Sequence, residues 1–218
     1  MGLLDRLVAR KGDSGSPAVT APAGGEPVFS TKALCKFLRV LTSRESPVLL
    51  DLGAVVGSNV SFFGEQLGCK IFVENLYADL ERHARDNTLD AFPEFLKTRF
   101  AVESAAVDGI LCWDIVDYLD RRSALALTEQ LVRVLRPEGA LLGFFGTAPA
   151  RDTFYTKYVV VDEVNLKHCA YPAACRRQSI LPNRDIIRLF SSLRVTESFL
   201  LQNNLREILF RKPAWVSS

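Results

Sequence analysis

The chain has 218 residues, the size of one ordinary domain or of one domain with a tail. Hydrophobic residues make up 48% and charged residues 24%, with 27 Lys and Arg against 25 Asp and Glu, so disorder, collagen and coiled coil are excluded as descriptions of the whole. A net charge of +2 gives no global reason to expect nucleic acid or an anionic membrane as partner.

The opening MGLLDRLVARKG puts Leu3, Leu4, Leu7 and Val8 on one helical face, with Arg6, Arg10 and Lys11 elsewhere. It has neither the long apolar core nor the small-residue cleavage site of a secretory signal. Arg6 stands where the myristoylation pattern needs Ser or Thr. Residues 12–27 are rich in Gly, Ser, Pro and Ala and read as a linker. Residues 1–28 are therefore expected to be a tethered amphipathic helix and flexible linker, the helix either frayed or resting on a membrane surface or partner. The domain occupies 29–218.

Within it helix and strand periods alternate. Ser30 is a fitting N-cap for a helix through about Leu41, with Ala33, Leu34, Phe37, Leu38 and Leu41 as the apolar stripe. Residues 48–52 (VLLDL) form a continuous apolar run ending at Gly53, as expected of a strand covered on both faces. A helix over about 58–67, a strand at 70–74 (KIFVE) and a helix over about 77–87 complete a β-α-β unit. A weak strand is suggested at 97–101, then a clear one at 108–113 and a helix over about 123–135 that stops at Arg136-Pro137-Glu138-Gly139. A strand at 140–145 precedes an irregular, aromatic-bearing segment at 147–182. A helix from about 183 to Phe190 leads to strands at about 194–201 and 205–211, whose short link makes them antiparallel neighbours. The fold class is α/β: a doubly wound, mostly parallel, Rossmann-like sheet of seven strands with an antiparallel last strand and helices on both faces. Ligands of such sheets bind at the carboxyl ends of the strands.

That edge carries the chemistry. Asp51-Leu52-Gly53-Ala54-Val55-Val56-Gly57 turns from strand into helix, where glycine lets the backbone bend or approach a ligand. Glu74 closes the next strand, 23 residues after Asp51, where an acid can accept from both hydroxyls of a ribose. Either acid alone reads equally as a loop carboxylate; the pair at successive strand ends points to a nucleotide-like ligand.

These residues resemble the class I S-adenosylmethionine-dependent methyltransferases over about residues 30–212. VLLDLGAVVG is similar to the family's glycine-rich first motif, KIFVE to its second strand, DGILCWDIVDYL to its fourth strand and loop, and LTEQLVRVLRPEGALLGFF to the helix, turn and fifth strand. VTESFLL and LREILFRKP are similar to the terminal pair, whose inserted antiparallel strand is not expected of a nicotinamide-binding domain. The resemblance implies S-adenosylmethionine as cofactor, with Asp51, Gly53, Ala54 and Gly57 at its methionine end, Glu74 on the ribose, and Asp114 near the sulfonium or the acceptor beside Trp113 or Ile115. Val55 departs from the pattern: many members have glycine there, and a branched side chain either crowds the cofactor or alters the turn. Glu103 and Ser104 fall in the adenine-binding region.

The acceptor is expected against 147–182 and the helix at 30–41. Asp114, Tyr155 and His168 are the candidate catalytic residues, with Tyr158 and Tyr171 nearby in sequence; plain packing is the alternative for each aromatic. Arg176, Arg177, Arg184 and Arg188 form a local basic cluster, either a solvated face or a site for an anionic acceptor such as RNA or a phosphorylated metabolite. His83 reads as part of a solvated helix face, Trp113 as core and Trp215 as a cap on the carboxyl end. The five cysteines are odd in number without a C-x-x-C pair, so a reducing, cytoplasmic setting is expected; His168, Cys169 and Cys175 match no zinc spacing, and no metal is expected. The function implied is methyl transfer to an unidentified acceptor, a small molecule among the possibilities. The alternative is a catalytically inactive methyltransferase-like binding or scaffold module. A nicotinamide oxidoreductase ranks third, for want of G-x-G-x-x-G after the first strand.

Overall fold

The computed structural model describes residues 26–149, 153–178 and 180–214; the expectations for the amino-terminal helix and for Trp215 lie outside these residues. A short strand β1 (Val28–Ser30) precedes α1 (Leu34–Thr42), so Ser30 ends a strand instead of capping a helix. The hydroxyl of Thr31 accepts from the Leu34 amide in its place, and the buried Glu207 carboxylate accepts from Thr31 Oγ1 and the Lys32 amide. Leu34, Phe37, Leu38 and Leu41 form the buried face of α1, at the helical spacing read from the sequence.

The units β2 (Val48–Asp51), α2 (Gly57–Val60) continued by a π-helical stretch Ser61–Gln66, β3 (Lys70–Val73) and α3 (Leu76–Arg85) follow as expected. The suggested strand at 97–101 is not one: residues 92–99 form α4, with Pro93 in its first turn, where the missing N–H costs nothing. Next come β4 (Val107–Trp113), α5 (Arg121–Val134) and β5 (Leu135–Gly146). Arg136 to Gly139 does not form a separating turn. It lies inside β5 as an irregularity against β4, with Glu138 in the left-handed region at φ 61°.

The segment at 147–182 is not irregular either. It holds a hairpin, β6 (Phe154–Asp162) and β7 (Asn165–Pro172), which takes β1 as its third strand. Finally α6 (Asn183–Leu189), β8 (Arg194–Leu200) and β9 (Leu205–Arg211) close the fold. The main sheet runs β3-β2-β4-β5-β9-β8, six strands among the described residues where seven were expected; the missing one is the strand suggested at 97–101, where α4 lies instead. β9 is antiparallel to both neighbours, and the pairs among β2, β3, β4 and β5 are parallel.

The sheet separates two cores. Residues of α3, α4, α5 and α6 pack on one side and those of α1 and the π-helical stretch on the other, and the β6–β7 hairpin adds Tyr155 to the first and Tyr158, Val160 and Leu166 to the second. Gly109 of β4 lets α1 come close, since a Cβ there would stand 2.5 Å from Leu41 and 2.9 Å from Phe37. At the amino end Asp108 is buried, accepting from the Val48 amide and pairing with Arg136. The hairpin lies against α2, leaving the carboxyl edge of β2 and β4 beneath it.

Candidate functional site

Parallel pairing of β2 with β3 sets Asp51 opposite Val73, so the Glu74 amide donates to the Asp51 carbonyl at 2.7 Å and the two acids share one edge. Asp114 arrives beside them because β4 pairs with β2 and ends one residue earlier. The structure thus brings Asp51, Gly53, Glu74 and Asp114 to the carboxyl ends of adjacent strands.

Each acid is already engaged. Asp51 is 4% exposed and accepts through Oδ1 from the Gly53 amide at 2.8 Å and from Trp113 Nε1 at 2.6 Å. Burial raises its carboxyl to about 6, the two hydrogen bonds opposing the shift. Trp113, 2% exposed, lies in the hollow itself: a Cβ on Gly53 would stand 2.8 Å from Cδ1 and Nε1 of the indole. The glycine that suggests backbone approach to a cofactor here permits approach of an indole. Trp113 reaches this place with φ at 49°, a conformation that costs a bulky residue about 1–2 kcal/mol. Tyr158 of β6 stacks on it at 5.0 Å between centroids, the planes 5° apart. Asn59 fixes that strand, donating to the Tyr158 carbonyl and accepting from the Val160 amide, both at 2.8 Å.

Glu74 pairs with Arg99 of α4 at 2.5 Å, and the same guanidinium donates to Asp79 at 2.7 Å. Val55 does not crowd the hollow: it is 64% exposed, and Gly57 has open space before it. Of the two alternatives for Val55, crowding does not hold, and the side chain that fills the hollow is Trp113. Ala54 is half-buried between them.

Asp114 is fully buried and accepts from Tyr77 Oη at 2.6 Å and from Arg177 Nη2 at 2.5 Å. Arg177 also faces Asp117, its Nη1 standing 3.6 Å from Oδ2, while the Gly146 amide donates to that Oδ2 at 2.7 Å. Burial first, then the neighbouring Asp114, raises the Asp117 carboxyl to about 7, with Arg177 opposing.

Tyr155 is fully buried in a ring cluster with Tyr77, Tyr118 and Tyr171, and burial pushes its hydroxyl well up. The His168 ring packs against Phe29 and Tyr158, where burial lowers it to about 4, so it is neutral at physiological pH. The basic cluster does not assemble: Arg177 is held by the two aspartates, whereas Arg184 is 83% exposed beside Asp185. His83 is half-buried on α3, its ring against Phe92 and Phe95 and its Nδ1 2.9 Å from Thr88 Oγ1 at the surface. Glu103 lines, with Glu74, Phe72 and Val102, a cavity of about 570 Å³. No cluster of three His, Cys, Asp or Glu among the described residues has a metal-binding arrangement.

Sequence reasoning passed over Asn59, Arg99 and Asp117 as members of the site and named Arg177 only within a basic cluster. Only Asp117 had a local signal, an acid three residues past Asp114 in the turn that follows a buried strand.

Ligands of open α/β sheets bind at the carboxyl ends where these acids stand, and the antiparallel β9 at the next-to-last position is the terminal arrangement that the resemblance implies. The chain has the fold of the class I S-adenosylmethionine-dependent methyltransferases. Among solved structures, the [4+2]-cyclase SpnF is similar at TM-score 0.51 and 12% identity, over 84% of this chain and 81% of that one. A 1,6-didemethyltoxoflavin-N1-methyltransferase from Burkholderia thailandensis is similar at 0.48 and 14%, over 83% and 78%, and a SAM dependent methyltransferase from Aquifex aeolicus at 0.48 and 13%, over 82% and 88%. At such identities the likeness is one of fold. No family model matches the chain, and no curated protein matches it in sequence.

Proposed function

We propose that the chain is a cytoplasmic S-adenosylmethionine-dependent methyltransferase acting on a small-molecule acceptor. The observation that carries this reading is the joint position of Asp51, Gly53 and Glu74 at neighbouring strand ends of a methyltransferase fold. Several of the solved structures similar to it are named as methyltransferases, one of them with bound S-adenosylhomocysteine. Five unpaired cysteines support the reducing compartment, and no described helix is long and apolar enough to cross a membrane.

The residues fit an adenosyl sulfonium compound only after two exchanges. The indole of Trp113 must leave Asp51, and Glu74 must share or surrender Arg99. Bound there, the cofactor would supply an electrophilic methyl group; Asp51 and Glu74 would hold its polar ends, and the hairpin with Tyr158 would keep water out. Calorimetry with S-adenosylhomocysteine tests the reading: saturable binding, weakened at least tenfold in Glu74→Gln, is expected, and no binding to either protein rejects it.

One observation favours a second reading, a non-catalytic module. The hydrogen bonds that a ligand would make are already made by Trp113, Arg99, Tyr77 and Arg177. On that reading wild type binds nothing, and only a variant lacking the indole does.

A further inference from the structure

Among the described residues the main sheet ends in two edge strands, β8 and β3. Such an edge offers unpaired N–H and C=O groups to any chain that can align with it. β8 is blunted: Arg194, Thr196 and Ser198 are exposed along it, and its pairing with β9 is irregular between Val195 and Glu197. β3 carries no such device. It runs in unbroken register with β2, and Ile71, Phe72 and Val73 are half-buried apolar side chains. The Lys70 and Glu74 amides donate to the carbonyls of Pro47 and Asp51, so alternation turns the N–H and C=O of Ile71 and Val73 to the open side. Among the described residues nothing pairs with these four groups.

We propose that β3 is a self-docking edge, to which a second copy of this chain adds its own β3 in antiparallel register about Phe72. The run Lys70-Ile71-Phe72-Val73-Glu74 commits the edge to its own copy, because read backwards it is complementary to itself in charge. Centred on Phe72, the pairing sets Ile71 opposite Val73 of the second copy. These are the residues whose backbone groups face out, so each such pair exchanges two hydrogen bonds. Phe72 then faces Phe72 and Lys70 faces Glu74, at the closer, non-hydrogen-bonded spacing and on one face of the joined sheet. A register shifted by two residues either way would set Phe72 against Lys70 or Glu74 and leave no ion pair.

Both charges are placed to take part. Lys70 is exposed, makes no ion pair among the described residues, and rests its ammonium 5.0 Å from the centroid of the Phe72 ring. Glu74 gives Oε2 to Arg99, and no described residue donates to its Oε1. The cavity of about 570 Å³ lined by Val48, Phe72 and Val102 lies on that same face and gives the second ring room. Two strands of this length bury less than a standard interface of roughly 1,600 Å², so the dimer is weak and reversible. None of this rests on the methyltransferase reading, and the test uses no cofactor.

Sedimentation velocity of the full chain between about 1 and about 500 μM reads the association, and wild type is expected to pass from monomer to dimer over that range. Lys70→Glu sets two carboxylates against Glu74, and Glu74→Lys sets two ammoniums against Lys70, so each variant alone should associate at least tenfold more weakly. An equimolar mixture of the two regains both ion pairs and should associate about as tightly as wild type. Damage to the fold would not be repaired by mixing. Should either variant fail to fold, amide exchange of wild type decides: the Ile71 and Val73 amides should exchange several-fold more slowly at high concentration than at low, with those of β8 unchanged. A monomer at every concentration, a dimer that both variants leave intact, or a mixture no tighter than its components overturns the proposal. So does equal protection of Ile71 and Val73 at both concentrations, which would mean that residues 1–25 of the same chain cover the edge.

Discussion

Replacing Trp113 by alanine should tighten binding of S-adenosylhomocysteine while weakening the fold. For a ligand to reach Gly53 in wild type, an indole 2% exposed must leave its place. Exposing a large aromatic costs about 3 kcal/mol, and losing its stack on Tyr158 about 1 kcal/mol more. The bond to Asp51 is replaced by one from the ligand, and release from φ 49° returns about 1 kcal/mol. The net cost is about 3 kcal/mol, or roughly a hundredfold in Kd, which Trp113→Ala removes. The same truncation should lower stability by about 3–5 kcal/mol, measured by urea unfolding.

Calorimetry on both proteins checks the first number. Affinity in Trp113→Ala equal to or below that of wild type, with cooperative unfolding retained, would refute the reasoning. If the variant does not fold, Trp215→Phe leaves Trp113 as the sole tryptophan. Its emission should move to the red as ligand saturates; saturable binding with unchanged emission refutes displacement as well.

Three further outcomes follow from the same contacts. Asn59→Ala strips partners from the Tyr158 carbonyl and the Val160 amide, and should cost about 2–3 kcal/mol, read as faster amide exchange at Val160 with β4 unaffected. Arg99→Ala frees Glu74 and Asp79 and should destabilise by about 1–2 kcal/mol in thermal unfolding, less at high salt, because the guanidinium is a quarter exposed. The raised carboxyls set the pH dependence. The native chain holds protons on Asp51 and Asp117 that the unfolded chain gives up near 3.8, so stability falls as pH rises from about 4 through about 7. Asp117→Asn should remove the part of this fall between about 6 and 7, as urea midpoints across that range will show.

The sheet was legible because its parallel strands are short apolar runs bounded by glycine or acid, and because the short link between VTESFLL and LREILFR makes them antiparallel neighbours. The acids at strand ends were legible for the same reason, since register alone carries them to one edge. The hairpin was not: Tyr155 is buried in one core and Tyr158 and Val160 in the other, so no single alternating stripe marks the strand. Helix α4 was missed because KTRFA overlaps its last turn, and only burial of Phe92 and Leu96 decides it. Trp113 could be read as core, and it is core. What no local pattern revealed is that this core occupies the hollow that Gly53 opens.

Asp51, Asp114 and Asp117 are all buried at one end of the sheet, and Arg177 is the one described cation whose side chain reaches two of them. Such an excess of acid is unfavourable while the site is closed, and Asp51 and Asp117 answer by holding protons near neutral pH. A positively charged ligand changes that balance, because it stabilises the ionised carboxylates and lowers their pKa. Binding of S-adenosylmethionine at about pH 6.5 should therefore release a fraction of a proton per molecule. Calorimetry in two buffers of different ionisation enthalpy measures it directly. Proton uptake, or none, would mean that these acids answer to the fold alone and not to a cationic ligand.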